Sequence, residues 1–343
     1  MMQFRHISYA VLLLLPCLAG AQSARIRFSL IDTLRSEGRF ALPVPGSDTL
    51  LGYQGGTVFY SPRNAGPQLD FHTPFSTPLS WSSDGRYLLA GMERYDWRAK
   101  RMSSRRWSHV LASRLMPAFP QAPAGWRIHN AQWHPSLRFA VVFSGYQGST
   151  DQLPESVSTQ FLHYLVVTDS SAKTIRVLDN CAQHDEIVDM ALSDSILIAA
   201  GKNVRLWNLN RSDRAVKVNI ETDRTSKVVL HPLLPLAAVT NKQGQLSAFP
   251  TNDPSRVTAV PADAGEIYEI VFHPELPLIF TTGSERRLRC WRYEGNVLTE
   301  LQSDLPKDRA YSPAGFDLQN RIVLLEYGGK STVKKRYALD LSH

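Results

Sequence analysis

Cysteine is scarce in this chain of 343 residues, which contains only Cys17, Cys181 and Cys290. Such a low number excludes a disulfide-dense scaffold. Cys181 and Cys290 belong to sequence units that are not neighbours, so we expect no bridge between them and interpret both as buried small hydrophobic residues. We expect no lipid attachment at Cys17, because Pro16 stands where a lipidation site needs a small residue.

Long apolar runs are missing as well. A membrane-spanning helix needs about 20 apolar residues, and no segment reaches that length. Residues 10–18 form a shorter apolar run that follows Arg5 and precedes the small residues Ala19, Gly20 and Ala21, a pattern typical of a cleavable secretory signal. We therefore predict a signal peptide over residues 1–21, a periplasmic or secreted location and no transmembrane segment.

Motifs for nucleophilic, metal and phosphate chemistry are also missing. The chain has no G-x-S-x-G, no H-E-x-x-H and no glycine-rich phosphate loop. Three His-Pro pairs begin at His134, His231 and His273. They fall in equivalent turns of separate repeats, which we expect to lie far apart, so we interpret the histidines as neutral turn residues. No catalytic residue, metal or cofactor is predicted, although a site assembled from single residues of several repeats would escape a linear search.

The net charge of +7 is moderate. An exported protein rarely meets nucleic acid, so we expect no nucleic-acid partner.

Most of the chain consists of copies of one repeated sequence unit. In its most regular copy, residues 267–295, three short runs of alternating apolar and polar residues are separated by a His-Pro turn and a charged turn. Such a meander, recurring about every 40 residues, is typical of a β-propeller. Seven copies are recognised by the residue that ends the first strand: Val44, Trp81, Trp133, Ala191, Leu230, Phe272 and Phe316.

These seven units predict an all-β fold, a seven-bladed β-propeller that forms one domain over residues 22–343. The seventh unit has only two clear strands after its first, at residues 321–326 and 332–339. Residues 26–34 alternate apolar and polar side chains before the first unit. We therefore predict that this N-terminal strand completes the last blade and removes an exposed sheet edge.

Two units carry a more specific pattern. In residues 182–208, His184 stands near the start and Trp207 near the end, and in the sixth unit Glu285 lies in the turn that precedes Trp291. These units resemble WD repeats: His184 and the two tryptophans stand where that family has its histidine and tryptophan, and Glu285 where it has its turn aspartate. The resemblance implies structural roles for these four residues and a scaffold that binds other proteins.

Two units are longer than the others. We place their extra residues between the second and third strands, at residues 92–106 and 147–159, and expect both on one face of neighbouring blades. Arginine and tryptophan are enriched at interface hot spots. The candidate partner-binding residues of the first insertion are Trp97, Arg98, Lys100, Arg101, Arg105, Arg106 and Trp107.

Our leading hypothesis is an exported, non-enzymatic scaffold that binds a protein partner through these insertion loops, with an acidic partner as one option. Three alternatives stay open. The basic residues can simply solvate a long loop and pair with the acidic neighbouring insertion. The protein can be a propeller enzyme, such as a lactonase-like hydrolase with a central-channel site, or a module that binds an anionic glycan or the envelope surface. Residues 106–116 fit the third strand of their blade and also a short helix.

Overall fold

A computed structural model of the chain describes residues 24–34, 40–47, 49–54, 57–60, 69–70, 79–90, 93–102, 126–146, 163–169, 175–181, 187–201, 203–211, 214–223, 226–328 and 331–342. Regular structure in these residues is entirely β, in 28 strands. Within the same ranges, no helix has the length and apolar character needed to cross a membrane. The predicted all-β class is therefore confirmed.

After the N-terminal strand β1 (Arg25–Leu34), five four-stranded sheets follow one another along the chain, and in each of them sequential strands pair antiparallel. The first sheet contains β2 (Phe40–Pro43), β3 (Leu50–Gln54), β4 (Thr57–Tyr60) and β5 (Leu69–Asp70). The second contains β6 (Leu79–Trp81), β7 (Tyr87–Ala90), β8 (Glu93–Asp96) and β9 (Arg101–Met102). The third contains β10 (Trp126–Trp133), β11 (Phe139–Tyr146), β12 (His163–Asp169) and β13 (Ile175–Cys181).

The fourth and fifth sheets repeat the same meander. The fourth contains β14 (Asp189–Leu192), β15 (Ile196–Ala200), β16 (Asn203–Asn208) and β17 (Val216–Glu221). The fifth contains β18 (Val228–Leu230), β19 (Leu236–Thr240), β20 (Gln245–Pro250) and β21 (Thr258–Pro261).

The remaining strands form one eight-stranded sheet, made of two consecutive sets joined through β1. One set is β22 (Ile267–Phe272), β23 (Leu278–Gly283), β24 (Arg289–Glu294) and β25 (Val297–Ser303). The other is β26 (Ala310–Phe316), β27 (Ile322–Gly328) and β28 (Ser331–Ser342). β1 pairs antiparallel with β28 along its whole length and meets β25 in a short parallel contact. The predicted addition of the N-terminal strand to the last repeat is therefore observed.

The arrangement of the sheets is propeller-like. From the second sheet onward, successive sheets contact each other through their inner strands, and β2 of the first sheet contacts β26 of the last set. The first and second sheets share a hydrophobic cluster that contains Leu51 and Leu88. All seven predicted anchors lie at the end of a first strand or within one residue of it.

Burial follows the order of the strands within a sheet. The second strands β19 and β23 are buried at every residue, whereas the outer strand β17 alternates between exposed and buried positions. The reason is that an inner strand is covered by a neighbouring sheet on each side, as in sheets packed on both faces. For example, Phe280 of β23 packs on Phe316 of β26 with ring centroids 5.7 Å apart.

Antiparallel pairing sends the connections of each meander alternately to two faces. The face that carries the connections from the first to the second strand and from the third to the fourth strand of each meander is called the upper face. The lower face carries the connections from second to third strand and from each meander to the next.

The two cysteines of the described residues lie in different sheets. Cys181 ends β13 of the third sheet, and Cys290 of β24 is a buried free thiol.

The second sheet differs from the prediction. Its third strand is β8, followed by a tight turn and β9, so residues 92–106 are not an insertion between second and third strands. Three of the four residues of β8 are charged, so its sequence does not look like a strand. In the structure, however, Tyr95 of β8 pairs with Leu88 and is buried. The predicted third strand over residues 106–116 lies outside the described residues, as does the predicted signal peptide. In the third sheet, residues 147–159 do connect the second and third strands, as predicted, although they too are not described.

A charged cluster fixes β1 against the last set. The Arg336 guanidinium donates hydrogen bonds to both carboxylate oxygens of Asp32 in β1 and, at 3.2 Å, to Oδ2 of Asp317. Arg321 donates to the same Asp317 oxygen at 2.6 Å. The side chains of Arg336 and Asp317 are only 12% and 4% exposed. This cluster therefore joins the N-terminal strand to the last set through the shielded Arg336, while Asp32 itself is 40% exposed.

We expect replacement of Arg336 by Met to lower the free energy of unfolding by about 3 kcal/mol, because Asp317 would lose one of its two cations in a shielded site. Urea unfolding monitored by circular dichroism gives the value. Arg256→Met is the matched control, since the Arg256–Asp253 pair is exposed and such pairs contribute at most about 1 kcal/mol. Equal stabilities of the two variants would contradict a structural role for the cluster.

Candidate functional site

The turn between β8 and β9, together with the first residue of β9, carries four of the predicted partner-binding residues. We call residues 97–101 the basic turn. Its Trp97 side chain is half-buried and packs edge-to-face on Trp81, with ring centroids 5.4 Å apart. The Trp81 indole N–H in turn donates to the Pro43 carbonyl of the first sheet at 2.7 Å. Trp97 is thus the base of the turn, packed between two sheets.

A buried carboxylate holds the backbone of the basic turn. Asp96 accepts a hydrogen bond from the Ala99 N–H at 2.9 Å and two from the Arg86 guanidinium at 3.0 and 2.8 Å. The Ala99 N–H and the Arg86 guanidinium keep the pKa of Asp96 below its ordinary value. Lys100 has a φ of 53° and places its ammonium 3.7 Å from the centroid of the Trp97 ring. A cation over an indole face is an attractive contact, so Lys100 is held in place.

The basic turn presents Arg98, Lys100 and Arg101 to solvent on the upper face. The other predicted members, Arg105, Arg106 and Trp107, lie outside the described residues. Residues 147–159 are not described, but the end of β11 and the start of β12, which flank them, lie at the lower face. The prediction that both insertions rise side by side on one face is therefore wrong for residues 97–101, because these residues connect third and fourth strands.

The three His-Pro pairs begin turns of the same upper face. His231 is buried; its Nδ1 accepts hydrogen bonds from the N–H groups of Leu233 and Leu234 at 3.1 and 2.9 Å. Its Nε2 then carries the proton and donates to the Leu276 carbonyl of the next set at 2.9 Å. His273 accepts from two N–H groups of its own turn in the same way. The interpretation as turn residues is confirmed, but the turns of His231 and His273 are adjacent and not far apart.

Other residue types cap the equivalent turns. Ser82 Oγ accepts from the Tyr87 N–H at 2.8 Å, and Asp317 Oδ1 accepts from two N–H groups of its turn at 3.0 Å. The cap was not recognised in the sequence as one position, because histidine, serine and aspartate perform the same role there. Within the described residues, no group of three His, Cys, Asp or Glu side chains lies close enough to hold a metal ion.

Leucines stand exposed on three of these capped turns, residues 231–235, 273–277 and 317–321, which we call the leucine turns. Leu233 is 72% exposed, and Leu234, Leu276 and Leu318 also present their side chains to solvent. They belong to the first connections of three consecutive sets and therefore share the upper face. Single exposed leucines are ordinary, whereas these four share one face of the protein. In the sequence, three of these leucines stand in the similar segments HPLLPL (residues 231–236) and HPELPL (residues 273–278). We interpreted these segments only as turns and did not predict that their leucines are exposed.

The residues of the WD resemblance have mainly structural surroundings. Trp291 is buried and its indole N–H donates to Thr281 Oγ1 at 3.0 Å. Trp207 is fully buried, and its Nε1 has no hydrogen-bond partner among the described residues. Strand register explains the difference: Trp291 pairs with Ile279 and Trp207 with Leu197, so Ala199 occupies the position of Thr281. His184 lies outside the described residues.

Glu285 is exposed and forms an ion pair with Arg289 at 2.8 Å. The carboxylate that orders this turn is Asp263, which sequence reasoning missed. Asp263 is buried and accepts hydrogen bonds from Ser284 Oγ at 2.5 Å and from the Gly265 N–H at 3.0 Å. A Cβ on Gly283 would lie 2.6 Å from that carboxylate, so the site requires glycine.

In sequence comparisons, no protein-family model and no curated protein matches this chain.

The buried histidines predict an acid-sensitive fold. Burial lowers the pKa of His134, His231 and His273, the last to about 4. The unfolded chain, with histidine pKa about 6.5, takes up protons first, so this stabilisation is complete above that pH and is lost as pH falls towards 4. We expect His273→Asn to reduce the dependence of unfolding free energy on pH, because the Asn oxygen accepts the same backbone bonds without titrating.

Urea unfolding of the parent protein and of His273→Asn, at several pH values between about 7 and 4, measures how the unfolding free energy of each depends on pH. Asp189 contributes the opposite trend, since burial raises its pKa to about 6 and its stabilisation is lost as pH rises through that value. Asp189 is present in both proteins, so its effect cancels in the comparison. If the unfolding free energies of the parent protein and of His273→Asn changed with pH by the same amount, the assigned role of His273 would be contradicted.

Proposed function

We propose that this protein is an exported, non-enzymatic β-propeller that acts as a scaffold and binds a protein partner through its upper face. Counting the eight-stranded sheet as two blades supports the proposed seven, and the pairing of β1 with β28 supports completion of the last blade by β1. Trp207 and Trp291 occupy buried positions of equivalent strands, which supports the WD-repeat resemblance.

The observation that carries the proposal is the rigid presentation of exposed side chains on one face. The leucine turns are fixed by buried His231, His273 and Asp317, each of which accepts two backbone N–H bonds. The basic turn is fixed by Asp96, which accepts the Ala99 N–H, and by the packing of Trp97 on Trp81. Groups that are already ordered lose little conformational freedom on association, so this face is suited to binding.

The chemistry of the face favours a partner segment that is acidic and also contains apolar side chains. Arg98, Lys100 and Arg101 are exposed, and they take part in none of the ion pairs found between described residues. The exposed leucines favour a protein over an anionic glycan, because a glycan offers few apolar groups for them to contact.

Two variants test the face separately. Arg98→Ala/Lys100→Ala/Arg101→Ala removes the charges, and Leu233→Ser/Leu276→Ser/Leu318→Ser removes the apolar tips. We expect each to reduce capture of envelope proteins by the immobilised mature protein by about tenfold, as for loss of interface hot spots. Quantitative mass spectrometry of the captured proteins measures the loss.

The matched control is Arg27→Ala/Lys217→Ala/Lys242→Ala, which removes three exposed cations outside the upper face, two in outer strands and one in a lower-face turn. Captured proteins that depend on the upper face should be retained by this control and released by moderate salt from the parent protein. The same set of proteins captured by all variants would disprove binding through the upper face.

Export is tested by the mature N-terminus. Expressed in a Gram-negative host, the chain is expected in the periplasm with Gln22 as its first residue, because Ala19 and Ala21 provide the small residues of a cleavage site. Intact-mass measurement of the periplasmic protein identifies the terminus, and Ala19→Arg/Ala21→Arg should leave an uncleaved precursor. Cytoplasmic protein that retains residues 1–21 would be inconsistent with export.

A further inference from the structure

A cavity of about 440 Å³ opens on the lower face beside the sixth set of strands. Its walls are the start of β24, the end of β25 and the connection from β25 to β26. Small-molecule sites usually enclose about 300 to 1,000 Å³, so the cavity is large enough for a compact metabolite. It lies on the opposite face from the basic turn and the leucine turns, so it is independent of the proposed scaffold function.

The charged residues of the walls are mostly cationic. Arg287, Arg289, Lys307 and Arg309 line the cavity together with one carboxylate, Glu300. Between the charged groups, Leu288, Leu301 and Leu305 form an apolar portion of the wall. The combination of an apolar wall and convergent polar groups is that of a ligand site.

Internal carboxylates do not neutralise all four cations. Arg309 pairs with Glu326 at 2.6 Å, and Arg289 pairs with Glu285 at 2.8 Å. Arg287 and Lys307 take part in none of the ion pairs of the described residues. Two cations of the wall therefore stay available to an incoming anion.

Glu300 already occupies an anion position in the cavity. Its two oxygens lie 3.5 and 3.4 Å from Arg289 Nη1, which is long for a charge-assisted hydrogen bond of about 2.7 to 2.9 Å. Its side chain is 47% exposed. A ligand oxyanion with shorter bonds can replace so weak a contact. Arg289 Nε, moreover, is buried without a hydrogen-bond partner among the described residues, so this guanidinium is not fully satisfied.

We propose that this cavity binds the phosphate monoester of a small organic molecule. Arg287 and Lys307, the two wall cations in none of the ion pairs between described residues, match the two negative charges of a phosphate dianion better than the single charge of a carboxylate. Guanidinium groups match phosphate oxygens in pairs, and Lys307 adds a point charge. The organic part of the ester lies against the apolar wall.

Calorimetric titration of the full mature protein with glycerol 3-phosphate, at fixed ionic strength, tests the proposal. We expect Arg287→Ala/Lys307→Ala to weaken binding at least about tenfold, and Glu300→Gln to strengthen it about threefold by removing the competing carboxylate. Both changes are on exposed side chains, and unchanged thermal unfolding verifies that the variants are folded.

Arg211→Ala/Lys242→Ala is the matched control, with the same loss of two exposed positive charges outside the cavity. Its affinity should equal that of the parent protein. Succinate, a dicarboxylate, should bind at least about tenfold more weakly than glycerol 3-phosphate. Equal weakening by the control and the cavity variant, or equal affinity for succinate, would overturn the proposal, as would unaltered binding in Glu300→Gln.

Discussion

Burial of the second strand of each meander on both sides is the constraint on which the structure depends. Strands such as β23, in which every residue is buried, need a neighbouring sheet on each side. No single four-stranded sheet can satisfy this alone, so each set relies on the next around the circuit. Contact of β2 with β26 and pairing of β1 with β28 bring the two ends of the circuit together.

Because packing between sheets supplies the core, the connections are free to vary in what they expose. Their backbones are ordered locally, by a histidine, serine or aspartate at the start of a turn. The tips of the turns then carry leucine on the upper face, while the connection from β25 to β26 borders a basic cavity on the lower face. Two surfaces of different chemistry are thus built on one repeated core.

The architecture was predictable because a large apolar residue ends most first strands, and periodicity detects such residues reliably. The third strand of the second sheet was missed for a physical reason. Arg94 and Asp96 read as a polar loop, yet Asp96 is compensated by Arg86 and Arg94 stacks on Trp133 of the next sheet. Compensation by residues distant in sequence is invisible to periodicity. The cavity escaped prediction for the same reason, since its cations meet only after folding.

The pairing of β1 with β28 also constrains the order of folding. Arg25 lies opposite Ser342, so the strands that adjoin in the last set are separated by nearly the whole chain. Contacts between such distant residues form slowly, and until they do the free edge of β28 can pair with another chain. A chain in which β28 has not yet formed likewise leaves β1 without this partner. Dimerisation by exchange of the N-terminal strand is the failure to which this topology is most susceptible.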